Sequence, residues 1–433
     1  MMLRKWQQRK VLTSGALLGP LSAGLIPLRV ASTIALTACL TACGGSDSPA
    51  PVNGPQHGPA PSSYVYVSAS GTSGGAGSVL QYSIGTDGSL TPLSSPSVAT
   101  GKDPTAITSD PTGRYVYAVN SADHTISQYS IGARGELTPL SPATVSIPLQ
   151  STAGSFRVSI DPSGHYLYVV ASSQIPVSQL PSSELPVSLS VQSTIAQYSI
   201  DGGGLLTPLT PAVVTLSLFA AGPLVIDSIG HHAYLAGYLS GVVLQFSVGT
   251  DGTLSPLPLG GVAAFNATDV VLTPRDDAAY VLGSCVDVAC DGQVSLYLMQ
   301  PDGSLNPRVS STLTGSHIVP VDLTLAGSGS SAYLLTNLMG VDTNSGKLYP
   351  FTIDNSGALV PQGEIDTGSA AVAQALNGSN LYVLTSDARA TLPNGSGGHL
   401  AHFTVGGGGM PSVSGSIPIA GQNPTAMTLV IPP

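Results

Sequence analysis

Charge is scarce in this sequence. Asp, Glu, Lys and Arg together make up 8% of its 433 residues, and the basic ones are the scarcer kind. Five of the 13 Lys and Arg (Arg4, Lys5, Arg9, Lys10 and Arg29) precede the first acidic residue, Asp47. The chain beyond them sets eight cations against 23 carboxylates, a net charge near −15. Binding to nucleic acid needs clustered Lys and Arg to displace counterions, so DNA and RNA are excluded as partners. There are four cysteines, too few for a cysteine-rich disulfide framework. The one tryptophan, Trp6, belongs to the N-terminal leader and says nothing about the folded part. Low charge does not mean disorder here, because hydrophobic residues make up 42% and fall in short runs of β type.

The first 43 residues read as an export signal. A basic n-region is followed by an apolar stretch over residues 30–42, too short to remain as a membrane-spanning helix. It ends in Leu40-Thr41-Ala42-Cys43-Gly44, which resembles a bacterial lipobox and implies lipidation of Cys43. Leu36-Thr37-Ala38-Cys39 is an overlapping match, but processing at Cys43 leaves the longer apolar segment. Several acyl chains on one residue would hold the protein at a membrane surface through that anchor alone. Ser46, in place of Asp, favours the outer membrane of the bacterial envelope. Residues 44–63 form a Pro/Gly/Ser spacer without apolar periodicity. Residues 64–433 form the folded domain.

That domain is repetitive. Tyr64-Val65-Tyr66, Tyr115-Val116-Tyr117, Tyr166-Leu167-Tyr168, Ala233-Tyr234, Ala279-Tyr280, Ala332-Tyr333 and Leu381-Tyr382 mark one strand seven times. The next strand carries Tyr82, Tyr129, Tyr198, Phe246, Tyr297, Phe351 and Phe403. The turn after it reads GTDGSL, GARGEL, DGGGLL, GTDGTL, QPDGSL, DNSGAL and GGGGMP. Gly and Asp in those turns supply the positive φ of tight hairpins. Three markers that each count to seven predict an all-β, seven-bladed β-propeller with four antiparallel strands per blade. The chain enters at a second strand and leaves through Pro424-Thr425-Ala426-Met427-Thr428, a near copy of Pro104-Thr105-Ala106-Ile107-Thr108. The last strand is therefore expected to complete the first blade. Length variation concentrates in loops at 70–78, 172–193, 284–292, 337–346 and 386–398, on the face opposite the Asp-Pro turns. Variable loops on a rigid scaffold are where binding is expected.

Candidate chemistry is sparse. Cys285 and Cys290 share one loop and, in an oxidising compartment, are expected to form a local disulfide contributing about 2 kcal/mol at most. Gly71-Thr72-Ser73-Gly74-Gly75 matches a nucleophile-elbow spacing but precedes no helix, and Gly327-Ser328-Gly329 precedes a strand, so both read as turns. Asp342-Thr343-Asn344-Ser345-Gly346 lacks the distal Glu of a calcium loop. No cofactor or metal site is expected. On or beside the innermost strands lie Arg157, Asp269, Asp322 and Gln374, with Asp103 and His317 at the channel mouth.

Asp110-Pro111-Thr112-Gly113-Arg114-Tyr115-Val116-Tyr117 and Thr125-Ile126-Ser127-Gln128-Tyr129-Ser130-Ile131 resemble the repeats of the seven-bladed lactonase family, which includes 6-phosphogluconolactonase-like propellers and YVTN-repeat surface proteins. The resemblance implies the fold from Tyr64 to the C-terminus. The enzymes of the family carry a Gly-Pro-Arg-His motif on an inner strand. The equivalent segments here read Asp103-Pro104-Thr105-Ala106, Gly154-Ser155-Phe156-Arg157 and Gly222-Pro223-Leu224-Val225, with no Arg-His pair. Without imidazole and guanidinium side by side, the lactone chemistry that the resemblance implies lacks its usual parts. The expectation is a monomeric, non-catalytic envelope scaffold binding a protein or glycan on its loop-rich face. The alternative is a lactone hydrolase with a rearranged channel, resting on Arg157, His317 and Asp322.

Overall fold

The computed structural model describes residues 63–71, 75–148, 153–173, 193–220, 222–238, 240–284, 292–312, 318–338, 346–387 and 397–432. Among these residues every regular element is a strand, and the strands form seven separate antiparallel sheets. The chain is a seven-bladed β-propeller. Blade 1 joins Ser63–Ser70, Ala76–Ile84 and Leu90–Lys102 to the C-terminal strand Asn423–Val430. The inner strands of blades 2, 3, 5, 6 and 7 are Pro104–Ser109, Ala153–Ile160, Ala267–Leu272, Ile318–Leu325 and Ala370–Asn377. Blade 4 has its inner strand in two pieces, Phe219–Ala220 and Val225–Ile226.

The ring closes as the terminal repeat predicts. Asn423–Val430 lies antiparallel to Ser63–Ser70, from Tyr64 opposite Val430 to Ser70 opposite Asn423. It also reaches the next blade, where Thr425 Oγ1 donates to the Pro104 carbonyl at 2.6 Å. Two segments more than 350 residues apart in sequence thus share one sheet, and no edge is left open at the seam.

The second strand of each blade is apolar on both faces because both faces meet a neighbouring blade. Val65, Tyr66 and Val67 are all fully buried, as are Val116, Tyr117, Ala118 and Val119. The buried apolar side chains fall into seven clusters, one at each junction between adjacent blades. The seven tyrosines of this strand also carry a polar end. Tyr66, Tyr117, Tyr168, Tyr234, Tyr280 and Tyr382 each donate their hydroxyl to the carbonyl of the hairpin glycine in the following blade, at 2.7–3.0 Å. Those glycines are Gly135, Gly204, Gly252, Gly303, Gly357 and Gly88, all at positive φ near +80°. The hairpin is thereby held in a conformation that only glycine adopts without strain. Burial pushes the pKa of these phenols well above the ordinary value, so they remain protonated donors.

A second tie runs from the third strand. Gln81, Gln128, Gln197 and Gln245 accept from the backbone N–H of Leu137, Leu206, Leu254 and Leu305 in the next blade, at 2.6–2.9 Å. At the same end of the blades, Asp110, Asp161 and Asp227 hold the tight turns by accepting backbone N–H groups from four and five residues ahead. Asp-Pro-x-Gly is read correctly from sequence as a turn because this geometry is local.

Tyr117→Phe removes one inter-blade donor without a change of shape and leaves the Gly204 carbonyl unpaired. The expected loss is about 1–2 kcal/mol, read as a lower urea midpoint with unchanged slope. An unchanged midpoint would show that the hydroxyl contributes nothing to holding the blades.

Candidate active site

The inner strands line the axis, and their register sets which side chains share a level. Arg157 pairs with Val170, Asp269 with Leu282 and Asp322 with Leu335. Each partner stands two residues beyond the second-strand tyrosine of its own blade: Tyr168, Tyr280 and Tyr333. The three charged residues therefore occupy one layer of the channel, from blades 3, 5 and 6. The same level in blades 1, 2 and 7 holds Ala426 (opposite Ser68), Ala106 (opposite Val119) and Ala373 (opposite Leu384). The charges thus stand on one side of the ring, and small residues packed against the inter-blade cores hold the same level on the other.

The interrupted inner strand of blade 4 is part of this arrangement. A Cβ on Gly222 would lie 2.8 Å from the Thr268 carbonyl and 3.1 Å from Asp269 Oδ1. Any side chain at that position would meet the carboxylate, so the glycine lets blade 4 pass close to Asp269.

The electrostatics follow from taking three charges out of bulk water. Burial lifts the carboxyl of Asp269 from 3.8 to about 7. The charge of Asp322 pushes the same way, while the Val270 N–H, 2.8 Å away, and the more distant Arg157 oppose the shift. Asp322 is raised to about 6 by burial, against the N–H groups of Gln374 and Leu323. The two carboxyls titrate as a coupled pair. Burial lowers the Arg157 guanidinium, with Asp269 countering. Arg157 keeps an accessible surface, but that surface opens onto the channel, where protein encloses it. Its Nη1 donates to the Phe156 carbonyl at 2.9 Å, and it forms no ion pair with Asp269 within 4 Å. The guanidinium thus retains donors for another partner.

Gln374 is one step beyond the layer and braces it. Its backbone N–H donates to Asp322 Oδ2 at 3.0 Å, and Nε2 donates to the carbonyls of Tyr333 (2.6 Å) and Asp322 (3.1 Å). Its Oε1 is buried without a hydrogen-bond partner. Asp103 does something else. It sits at φ 50° and accepts from Ser121 Oγ at 2.7 Å and Ser70 Oγ at 2.9 Å, which makes it the cap of the crossover from blade 1 to blade 2. Among the described residues, no three His, Cys, Asp or Glu side chains converge on a point that would hold a metal ion.

Of the sequence-derived candidates, Arg157 and Asp322 are brought to one level, and Asp269 stands between them in blade order. His317, Cys43, Cys39, Cys285, Cys290 and most of the 172–193 insertion lie outside the described residues. What the strand pattern alone does not give is the common level. Counting two residues beyond each tyrosine, then across the pair to the inner strand, would have found it, had the bulges at Thr268, Val321 and Gly154 been legible.

The seven-bladed ring thus encloses a channel layer with two carboxyls of raised pKa and one guanidinium. Residues 64–204 match the family described as Lactonase, 7-bladed beta-propeller. No curated protein sequence matches significantly. Among solved structures, a proposed 6-phosphogluconolactonase of Bacteroides uniformis superimposes with TM-score 0.66 at 16% identity, covering 85% of this chain and 99% of its own. The periplasmic gluconolactonase PpgL of Pseudomonas aeruginosa gives 0.65 at 17%, covering 86% and 100%. A proposed 6-phosphogluconolactonase of Bacteroides fragilis gives 0.64 at 15%, covering 88% and 100%. At such identities these structures speak to the fold.

The lactonase match over residues 64–204 overturns the expectation of a non-catalytic scaffold and favours the alternative, a lactone hydrolase. The expectation rested on the missing Arg-His pair. That inference was too strong, because proton transfer does not require an imidazole. A carboxyl held near neutral pKa serves the same purpose.

The raised carboxyls have a stability consequence. Asp269 binds its proton more tightly folded than unfolded, so its contribution to stability is complete below about pH 4 and is lost as pH rises towards 7. Asp269→Asn, which cannot ionise, should stabilise the protein at pH 8 by about 1–3 kcal/mol, allowing for screening by channel water. Urea unfolding at pH 4.5 and 8 checks this. A variant less stable than wild type at pH 8 would contradict it.

Proposed function

We propose that this protein hydrolyses a lactone of the hydroxylated, sugar-acid class in the channel layer of Arg157, Asp269 and Asp322. The observation that carries the reading is the pair of carboxyls, poised near pH 6 and pH 7, beside a guanidinium with free donors. It is supported by the lactonase match over residues 64–204 and by the gluconolactonase neighbours.

Each group has a part. Asp322, the more acidic carboxyl, is the base that takes a proton from water as its oxygen attacks the lactone carbonyl. Arg157 donates to the oxyanion that develops on that carbonyl. As the intermediate collapses, the ring C–O bond breaks and the departing ring oxygen takes the proton of Asp269. The open hydroxy acid leaves, and a proton passing from Asp322 to the more basic Asp269 restores the starting state. Water is the only co-reactant. Gln374 holds Asp322 in place through its backbone N–H.

The test is hydrolysis of glucono-1,5-lactone by the full chain, corrected for spontaneous opening. Arg157→Ala and Asp322→Asn should each lower kcat about 100-fold or more. The wild-type rate should rise with pH through about 6 and fall above about 7, where Asp269 loses its proton. Turnover no faster than the background, or unaffected by both substitutions, would refute the assignment.

The leader supports a location in the bacterial envelope, with Cys43 as the lipid-bearing residue and the 44–63 spacer between lipid and propeller. Metabolic labelling with a palmitate analogue in a bacterial host should mark the wild type and not Cys43→Ala. Label retained on Cys43→Ala and lost from Cys39→Ala would move the processed cysteine.

A further inference from the structure

The residue two before the second-strand tyrosine varies around the ring: Tyr64, Tyr115, Tyr166, His232, Ala278, Ser331 and Asn380 for blades 1 to 7. In the first four blades this residue is a ring lying against the hairpin glycine of the next blade. A Cβ on Gly135, Gly204, Gly252 or Gly303 would come within 2.2–2.3 Å of Tyr64, Tyr115, Tyr166 or His232. Blade 7 fills the place with Asn380 and His402 against Gly88. Ala278 of blade 5 is the smallest residue of the series. A Cβ on Gly357 would meet no ring atom among its nearest neighbours, which are Leu296 Cδ2 at 2.7 Å and the Tyr280 hydroxyl at 3.7 Å.

The missing ring leaves a hole. The pocket between blades 5 and 6 has a volume of about 540 Å³, and Ala278 and Gly357 both line it. At the junction of blades 2 and 3, where Tyr115 is present, the corresponding space is about 110 Å³. The larger volume is of the size that takes a small ligand. Its floor is apolar, made by Leu296, Leu298, Leu325, Ile353 and the ring of Tyr280. This pocket lies on the Asp-Pro-turn end of the blades, at the outer side of the inner strands, apart from the channel layer.

Its rim holds Arg275 and Arg308, two of the eight cations outside the leader of an acidic protein. Asp277 and Asp354 also line the pocket, each hydrogen-bonded within its own turn. Asp354 accepts from the Ser356 hydroxyl and from the N–H groups of Ala358 and Ser356 within its own turn, which hold its carboxyl below the usual range. Asp277 accepts from Thr273 Oγ1 at 2.6 Å. Among the described residues, neither arginine forms an ion pair.

We infer that this pocket binds a compact ring-bearing carboxylate. Its ring takes the place that Tyr115 or Tyr166 fills at other junctions, and its carboxylate is received by Arg275 and Arg308. The protein's own repeats supply the precedent for what fits: a six-membered ring against a hairpin glycine. Arginine is the side chain suited to a planar carboxylate, through paired N–H donors. An exposed rim and a ligand of about ten heavy atoms imply a Kd of about 0.1–1 mM.

Titration calorimetry of the full chain with 4-hydroxybenzoate tests this, with p-cresol as the neutral ring and acetate as the ringless anion. Saturable binding is expected for 4-hydroxybenzoate and at least tenfold weaker binding for the other two. Ala278→Tyr, which restores the ring, should abolish it. Arg308→Gln, on the exposed rim where folding is not at stake, should weaken it at least fivefold. Hydrolysis of glucono-1,5-lactone serves as a separate readout, and neither variant touches the channel layer. Absence of saturable binding below 10 mM, equal binding of p-cresol, or undiminished binding to both variants would each overturn the inference.

Discussion

The hydroxyl of one tyrosine, donated to the carbonyl of one glycine in the next blade, is the contact on which the rest of this structure turns. It recurs at six junctions, from Tyr66 to Gly135 round to Tyr382 and Gly88. The ring buries apolar area on each side of every blade, but burial has no direction and would tolerate one blade sliding along another. A hydrogen bond between two buried groups does not, because slippage would leave both unpaired. The tyrosine therefore fixes the height of each blade relative to its neighbour.

That height is what makes a channel layer possible. Arg157, Asp269 and Asp322 come from strands more than 50 residues apart, and they share a level because each blade is hung from the same peg. Once at that level, their chemistry follows from enclosure. Two carboxyls facing a narrow axis cannot both ionise as they would in water, and their protonation equilibria move into the neutral range. Groups of this kind cost the fold some stability, a common feature of sites that perform proton transfer.

The repeat is also informative where it fails. Blade 4 has lost a continuous inner strand, and Gly222 there passes against Asp269. Blade 5 has lost the ring at its second-strand start, and a pocket opens over Gly357. Blade 6 keeps Tyr333 without the hydroxyl contact that the other six make. All three departures fall in consecutive blades, whereas blades 1 to 3 follow the pattern closely. The family match ends at residue 204, within blade 3, and the divergent blades that follow hold two of the three charged channel residues.

Some of this was legible in the amino-acid order alone, because it is local or because it repeats. The turn chemistry of Asp110-Pro111 and of the hairpin glycines is set within four or five residues. Seven copies of a tyrosine-bearing strand count the blades, and the echo of Pro104-Thr105-Ala106 at Pro424-Thr425-Ala426 announces how the ring closes. The channel was readable only as a list of polar residues on inner strands, and the same list led to a wrong emphasis on the absent Arg-His pair. Which of those residues meet was decided by the tertiary structure. Bulges at Thr268 and Val321 shift the count by one, and pairing across strands converts that shift into height. Protonation was decided there too: a carboxyl has the same composition anywhere in a chain, and only its enclosure beside a second one moves its proton into the range where chemistry at neutral pH can use it.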